Sequence, residues 1–269
     1  MCYYPLIVAD KSIYGQMVKK KRSVPCGQCA KCLENKRKQW FVRLYEEHKK
    51  SQNSAFLTLT YEVEPKNGVN KRDVQLWLKR LRKDTGKGVK YYAVGEYGSK
   101  SGRAHYHALM FHLPLSTDLG LIVQDTWGYG MIHVGKLTES SINYVCKYHL
   151  IPSGDKRHER NREFSLMSKG LGKEYIDRMS KYHSGNTDRA AYQYYEHKLP
   201  LPRYYKEKIY TDWERREISE RVKCGEFDQT KIQAIRNKLP SEDPILVITQ
   251  RRRNHNNSFK VKSDKTNKL

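Results

Sequence analysis

Two runs rich in aromatic and β-branched residues, VKYYAVGEY at 89–97 and RAHYHALMFH at 103–112, are separated only by Gly98-Ser99-Lys100-Ser101-Gly102. So short a polar, glycine-bearing link folds the chain back on itself, and residues 89–112 are expected to form an antiparallel hairpin. The flanking segments extend the pattern. Residues 55–61 (AFLTLTY) read as a strand, followed by a loop marked by Pro65, Asn67 and Gly68. Asn70 then caps a helix: Asp73 lies in its first turn, and Val74, Trp77, Leu78 and Leu81 recur at i, i+3, i+4 and i+7. Its other face carries Lys71, Arg72, Lys79, Arg80, Arg82 and Lys83. After the hairpin come a helix near 117–126, a strand near 129–135 and a helix at 139–149. The order β-α-β-β-α-β followed by α predicts an α+β fold of the ferredoxin-like, split βαβ kind, an antiparallel sheet with its helices on one face.

A chain of 269 residues suits one well-buried domain with extensions. Residues 1–52 form a Cys-rich element and a basic helix, 53–150 the α+β domain, and 151–248 a mixed C-terminal region interrupted by Leu199-Pro200-Leu201-Pro202. The basic tail 249–269 is expected to be disordered until bound. An excess of 52 Lys+Arg over 29 Asp+Glu leaves a net charge of +23. Nucleic acid is the usual partner for such an excess, because each neutralised phosphate releases counterions; a membrane surface fits less well. No apolar run approaches the ~20 residues that cross a bilayer, and MCYYPLIVADKS lacks the order of a secretory signal. A soluble, cytoplasmic protein is therefore expected, in which six cysteines serve as thiols or metal ligands rather than disulfides.

The hairpin also holds the first candidate chemistry. Side chains alternate along a strand, so His105 and His107 project from one face. Glu96 precedes His105 by an odd number of residues, which allows the two to oppose each other across the hairpin. Three ligands of this kind leave open positions, as a catalytic metal site requires. Carboxylate with imidazole suits Mg²⁺ or Mn²⁺, the imidazoles favouring the softer Mn²⁺.

Tyr144, Lys147 and Tyr148 share one side of the helix at 139–149, opposite a stripe of Ile142, Val145, Cys146 and His149. Twenty tyrosines give about 1.5 such i, i+4 pairs by chance, so spacing alone decides nothing. Chemically, a tyrosine oxygen can attack a phosphodiester whose charge is steadied by a metal and a lysine such as Lys147. For Tyr144 to face a metal on the sheet, the apolar stripe must pack elsewhere, and the C-terminal region is the obvious cover.

Cys26, Cys29 and Cys32 form CxxCxxC, whose chance expectation is about 0.003, so the pattern is specific. Structural Zn²⁺, an iron–sulfur cluster and bare thiols remain open; for zinc, Cys2 is the expected fourth ligand. Cys146 and Cys224 read as small apolar fillers. Residues 31–50 read as a helix burying Leu33, Trp40, Phe41 and Leu44, with Lys36, Arg37, Lys38 and Arg43 elsewhere. Lys36, Arg37, Lys38, Arg80 and Arg103 are candidate DNA contacts, a solvated basic face being the plain alternative.

With these residues assembled, the sequence resembles the replication initiation proteins of gokushovirus-type single-stranded DNA phages, within the HUH endonuclease superfamily. The matching stretches are MCYYPL, VPCGQCAKCLENKRKQWFVRL, FLTLTY, VQLWLKRLRK, YAVGEYG, HYHALMF and YVCKY, all within residues 1–150. The resemblance implies an HUH palm with His105, His107 and Glu96 as ligands of Mg²⁺ or Mn²⁺, and Tyr144 and Tyr148 as alternating nucleophiles. Tyr144 with Lys147 three residues later also fits the one-tyrosine pattern of other HUH families. A rolling-circle initiator is thus expected: it nicks one strand at a phage origin, holds a 5′-phosphotyrosine and rejoins the strand after one round. It would act in the host cytoplasm on single-stranded or nicked origin DNA. Lacking a GxxxxGK[ST] loop, it would use no nucleotide cofactor and rely on a host helicase. A transposase or relaxase of the same chemistry, and a non-catalytic single-strand-binding module, are the alternatives.

Overall fold

The computed structural model describes residues 2–9, 21–86, 88–98, 101–115, 118–147, 160–224, 237 and 244–266. In chain order these contain β1 (Leu6–Ala9), β2 (Lys21–Val24), α1 (Ala30–Lys50), β3 (Ser54–Thr60), α2 (Lys71–Thr85), β4 (Lys90–Tyr97), β5 (Ala104–Phe111), α3 (Leu119–Trp127) and β6 (Ile132–Lys136). There follow α4 (Glu139–Cys146), β7 (Phe164–Met167), α5 (Glu174–His183), β8 (Ala191–Tyr194), β9 (His197–Pro200), α6 (Arg203–Ile209), α7 (Asp212–Cys224) and α8 (Pro244–Thr266).

Local chemistry explains the boundaries. Asn70 accepts from the Arg72 amide to start α2, and Asp118 accepts from the Leu121 amide to start α3, which ends at Gly128 with φ 64°. Thr138 and Ser141 form a capping box that starts α4. The main sheet runs β6-β3-β5-β4-β7 and is antiparallel throughout. The four strands expected from the sequence occur in the interleaved order fourth, first, third, second, as split βαβ units produce. The fifth, β7, comes from a stretch in which the sequence pattern shows no strand.

The expectation of helices on one face is overturned, because both faces are covered. On one, Leu57, Leu59, Tyr106, Ala108 and Met110 meet Val74, Trp77 and Leu81 of α2 and Val123 and Trp127 of α3. On the other, Tyr92, Val94, Leu109 and Phe111 join Phe41, Val42 and Leu44 of α1 and Ile142, Val145 and Cys146 of α4. This second layer explains why β5 is buried almost along its whole length. It also recruits Arg43, expected to lie away from the core: its guanidinium sits 4.4 Å from the Trp40 ring and 4.3 Å from the Tyr204 ring, and Nε donates to the Leu171 carbonyl.

The C-terminal region shares this core through Leu171, Tyr175, Tyr192 and Tyr205. Two buried carboxylates at the end of α1 tie it down. Glu46 accepts from Tyr192 Oη and Arg178, and Glu47 accepts from the Gly172 amide at 2.6 Å and from Lys90 Nζ at 2.8 Å. The tail also departs from expectation. Residues 249–266 continue α8 rather than lying disordered, because Asn256 is buried against α1 and accepts from the Ala30 amide, a helix-start donor that Cys29 leaves uncapped.

Burial alone would raise the Glu47 pKa, but Lys90, the Gly172 amide and His112 hold it below the ordinary carboxylate range. Its stabilising contribution is therefore full above the ordinary carboxylate pKa and lost as pH falls through the lowered folded value. Glu47→Ala, which strands Lys90 and the Gly172 amide, is expected to destabilise the fold by about 3–5 kcal/mol at neutral pH. Urea unfolding should show that deficit shrinking in acid.

Candidate active site

The β3–β5–β4 register sets two rows of side chains side by side. Thr58, His107 and Val94 form one row, Thr60, His105 and Glu96 the next, so the opposition of Glu96 and His105 expected from their spacing is present. Glu96 Oε1 lies 2.8 Å from His105 Nε2 and 2.9 Å from His107 Nε2. The far ring nitrogens are also engaged: His105 Nδ1 is 3.1 Å from the Arg103 carbonyl oxygen and His107 Nδ1 is 3.0 Å from Thr58 Oγ1. A carbonyl only accepts, so His105 carries its proton on Nδ1 and turns Nε2 toward the centre. Phe56 stacks on His107 with ring centroids 5.2 Å apart.

Burial would raise the Glu96 pKa, but hydrogen bonds from both imidazoles hold it below the usual range. The same contact outweighs burial in the other direction at His105, whose pKa is raised. The three ligand atoms lie within 4.8 Å of one another. Two imidazole nitrogens with satisfied outer partners and one ionised carboxylate make a donor set that fits a divalent cation.

Tyr144 reaches this cluster from α4. Its Oη lies 3.2 Å from Glu96 Oε1 and 3.5 Å from His107 Nε2, while the residue stays 38% exposed. Burial, then the Glu96 charge, pushes its pKa up to about 12. The apolar stripe Ile142, Val145 and Cys146 is buried in the cluster that holds Leu109 and Phe111, the residues continuing the His105/His107 face of β5. Stripe and tyrosine thus use the same sheet face, and α1 supplies most of the cover expected from the C-terminal region. That region adds Tyr194 and Tyr195, whose hydroxyls donate to Glu139. Lys147 is exposed at the end of α4 with Nζ 5.5 Å from the Tyr144 ring centroid. Tyr148 lies outside the described residues.

A second cluster forms at the N-terminus, where the sulfurs of Cys2, Cys26, Cys29 and Cys32 converge within 4.8 Å. Cys2 Sγ lies 3.4 Å from Cys26 Sγ and 3.8 Å from Cys29 Sγ. Four thiolates at ~2.3 Å from one ion would sit ~3.8 Å apart, so the spacing fits a tetrahedral metal. Backbone amides of Cys26, Cys29 and Tyr3 point at these sulfurs. Burial raises the Cys29 pKa, but amides and neighbouring thiols outweigh it and bring it to about 7.

Residues 54–150, from the start of β3 to just beyond α4, match the family model of the replication-associated protein ORF2. Replication-associated protein ORF2 of Spiroplasma virus 4 is 30% identical over 227 residues, covering 71% of this chain and 69% of that protein. The chain belongs to this family of phage replication-associated proteins. Replication-associated protein VP4 of Bdellovibrio phage phiMH2K is 29% identical over 232 residues, covering 76% of this chain and 70% of that protein. Replication-associated protein ORF4 of Chlamydia phage 1 is 25% identical over 261 residues, covering 86% and 63%. No solved structure matches. The resemblance to microvirus-type replication initiators is thereby upheld. It reaches further than the first 150 residues, which cannot supply 76% of a 269-residue chain.

The basic residues singled out as DNA contacts in this phage replication-associated protein divide. Lys36 is exposed on α1, Arg37 is half-buried and Lys38 pairs with Glu34 at 2.9 Å. Arg80 donates to the Thr126 carbonyl at the end of α3, and Arg103 to the Tyr61 carbonyl, so both satisfy backbone acceptors within the fold. Sequence reasoning missed Phe56 and Thr58, although the alternation of FLTLTY puts them on the face that meets His107.

Because His105 must be neutral to bind a cation, metal binding displaces its proton below its raised pKa. Mn²⁺ affinity measured by calorimetry should therefore climb with pH and level off above that pKa; a constant affinity from about pH 6 to 8 would contradict this. Thr58→Val, which removes the His107 partner, should weaken Mn²⁺ binding by about 10–100-fold.

Proposed function

We propose that this protein is a rolling-circle initiator that nicks one strand at a phage origin and stays joined to the new 5′ end. The observation that carries the reading is Tyr144 Oη within 3.5 Å of both Glu96 Oε1 and His107 Nε2. A purely binding module has no use for a nucleophile packed against a fitted ligand set. Glu96, His105 and His107 would hold Mg²⁺ or Mn²⁺ on an HUH-type palm. Such an ion, when bound, supplies Lewis-acid polarisation of the scissile phosphate.

Tyr144 remains a protonated phenol near neutral pH, so its proton leaves as attack proceeds, along the hydrogen bond to Glu96. The Tyr144 oxygen bonds to phosphorus, the bond to the 3′ oxygen breaks, and that oxygen takes up a proton to become a 3′-OH. This is transesterification, not hydrolysis: the phosphotyrosine retains the phosphodiester energy, and the released 3′-OH primes synthesis. Lys147 lies where its ammonium pairs with phosphate oxygens. Tyr148, one helical turn on in sequence, is the proposed second nucleophile that closes the displaced strand into a circle. The reaction takes place in the host cytoplasm, and a host helicase separates the strands.

The cysteine cluster is proposed to hold structural Zn²⁺ through Cys2, Cys26, Cys29 and Cys32. Elemental analysis should find ~1 zinc per chain, lost on Cys29→Ser; a visible absorption band from iron and sulfide would overturn the assignment.

With Mn²⁺ and single-stranded origin DNA, the protein should form an adduct that survives boiling in detergent and retains the 5′-phosphate fragment. Tyr144→Phe keeps the ring but removes the nucleophile, and should lower adduct yield by ~10³-fold or more. Tyr148→Phe should still nick but fail to circularise. An adduct that persists in the double variant would refute the nucleophiles, and cutting without adduct would indicate attack by water.

A further inference from the structure

The helix α8 is built unlike the others. From Gln250 to Lys260 it carries Arg251, Arg252, Arg253 and Lys260, four amide side chains and no acidic residue. Its two sides differ. Arg252, Asn256 and Phe259, spaced i, i+4 and i+7, are the half-buried or buried positions and face the body of the protein. Asn256 Oδ1 accepts from the Ala30 amide at 3.2 Å, and His255 Nδ1 lies 2.7 Å from Tyr3 Oη. Ala30 follows Cys29 and Tyr3 follows Cys2, so both anchors stand beside the cysteine cluster, at the N-terminal end of α1.

The opposite side presents Gln250, Arg253, Asn254, Asn257 and Lys260, one exposed stripe at i, i+3, i+4, i+7 and i+10, with Arg251 exposed at its flank. It spans ~15 Å of helix. We propose that α8 reads double-stranded DNA by laying this stripe in the major groove. The residue types favour that partner over others. Arginine and lysine neutralise phosphates, but amides add nothing to a purely electrostatic grip. They pair with base edges, asparagine with adenine above all, and such edges are presented in a B-form major groove wide enough for a helix. Single strands are gripped by stacking on aromatic rings, and the stripe has none: Phe259 faces inward and His255 is turned to Tyr3. A-form RNA offers a major groove too narrow for a helix. Docking on the cysteine cluster fixes the helix before DNA arrives, so little ordering entropy is lost on binding.

This inference stands apart from the nicking reading, since it concerns duplex binding alone. The test is fluorescence anisotropy of the full chain with a short labelled DNA duplex, the matching RNA duplex and the single strand. Arg251→Glu combined with Arg253→Glu should weaken DNA-duplex binding by ~10-fold or more and lower the slope of log affinity against log salt by about 2. Arg251→Lys with Arg253→Lys should keep that slope. Asn254→Ala with Asn257→Ala should also keep it, while flattening the sequence preference obtained by selection from random duplexes. A DNA-duplex affinity unmoved by charge reversal would overturn the proposal. So would losses equal in size for duplex DNA, duplex RNA and single strand, or a sequence preference untouched by the asparagine changes.

Discussion

The β4–β5 register is the constraint from which the rest of the candidate site follows. Pairing Glu96 with His105 and Val94 with His107 puts a carboxylate and two imidazoles on one patch of sheet. Because side chains alternate, a slip of one residue would turn both imidazoles into the α2/α3 layer and bring Tyr106 to the open face. That slip is opposed from below. Tyr106 is 1% exposed, its hydroxyl lies 2.6 Å from Tyr61 Oη and accepts from the Asn70 amide at 2.7 Å, and its ring meets Trp127 edge-on. The central residue of His105-Tyr106-His107 is thus an anchor, joining the ligand strand to the start of α2. Tyr61 in turn donates to Asp73 in the first turn of α2, so the helix cap, the loop and the ligand strand share one hydrogen-bonded network.

What was legible in the sequence follows from short-range rules. The alternation of residues 103–112, the cap at Asn70 and the i, i+3, i+4 spacing of Val74, Trp77 and Leu78 are local patterns, and each element lies where they place it. The Glu96–His105 opposition was legible too, because a tight hairpin converts sequence separation into register. The cysteine cluster was legible from CxxCxxC alone. Long-range packing was not. β7 has only four residues, and its place beside β4 depends on an already formed edge rather than on its own pattern. The second helical layer was hidden for a related reason: α1 reads as a basic amphipathic helix that could cover any apolar surface, and only the buried Leu109 and Phe111 show which one it covers. Arg43 and the tail helix misled because charge predicts solvent exposure, whereas here ring faces and an uncapped amide supply partners for polar groups.

The position of α4 reconciles two demands that conflict in the sequence. A helix that presents a tyrosine to the sheet must still bury its own stripe. It does both because the His105/His107 face changes character along β5: imidazoles stand at one end and Leu109 and Phe111 at the other, so one helix lies over apolar residues while its flank reaches polar ones. Glu46 and Glu47 extend this logic to the far end of α1. Each is a buried acid whose partners come from the C-terminal region as well as from nearby chain, which makes the layer behind α4 a joint product of both halves of the chain.

The charge distribution then separates affinity from chemistry. A net charge of +23 draws phosphates broadly, yet in salt its reach is about one Debye length, roughly 8 Å. Within the ligand cluster the local field is set instead by Glu96, a buried anion that repels phosphate unless a cation stands between them. The imidazoles lessen that repulsion only while protonated, which is the state that cannot bind metal. Basic surface therefore brings the DNA close without readying it for attack, and a divalent ion seated among Glu96, His105 and His107 is what allows a phosphate to approach Tyr144. Tight binding and cutting are consequently expected to depend on different residues of the same molecule.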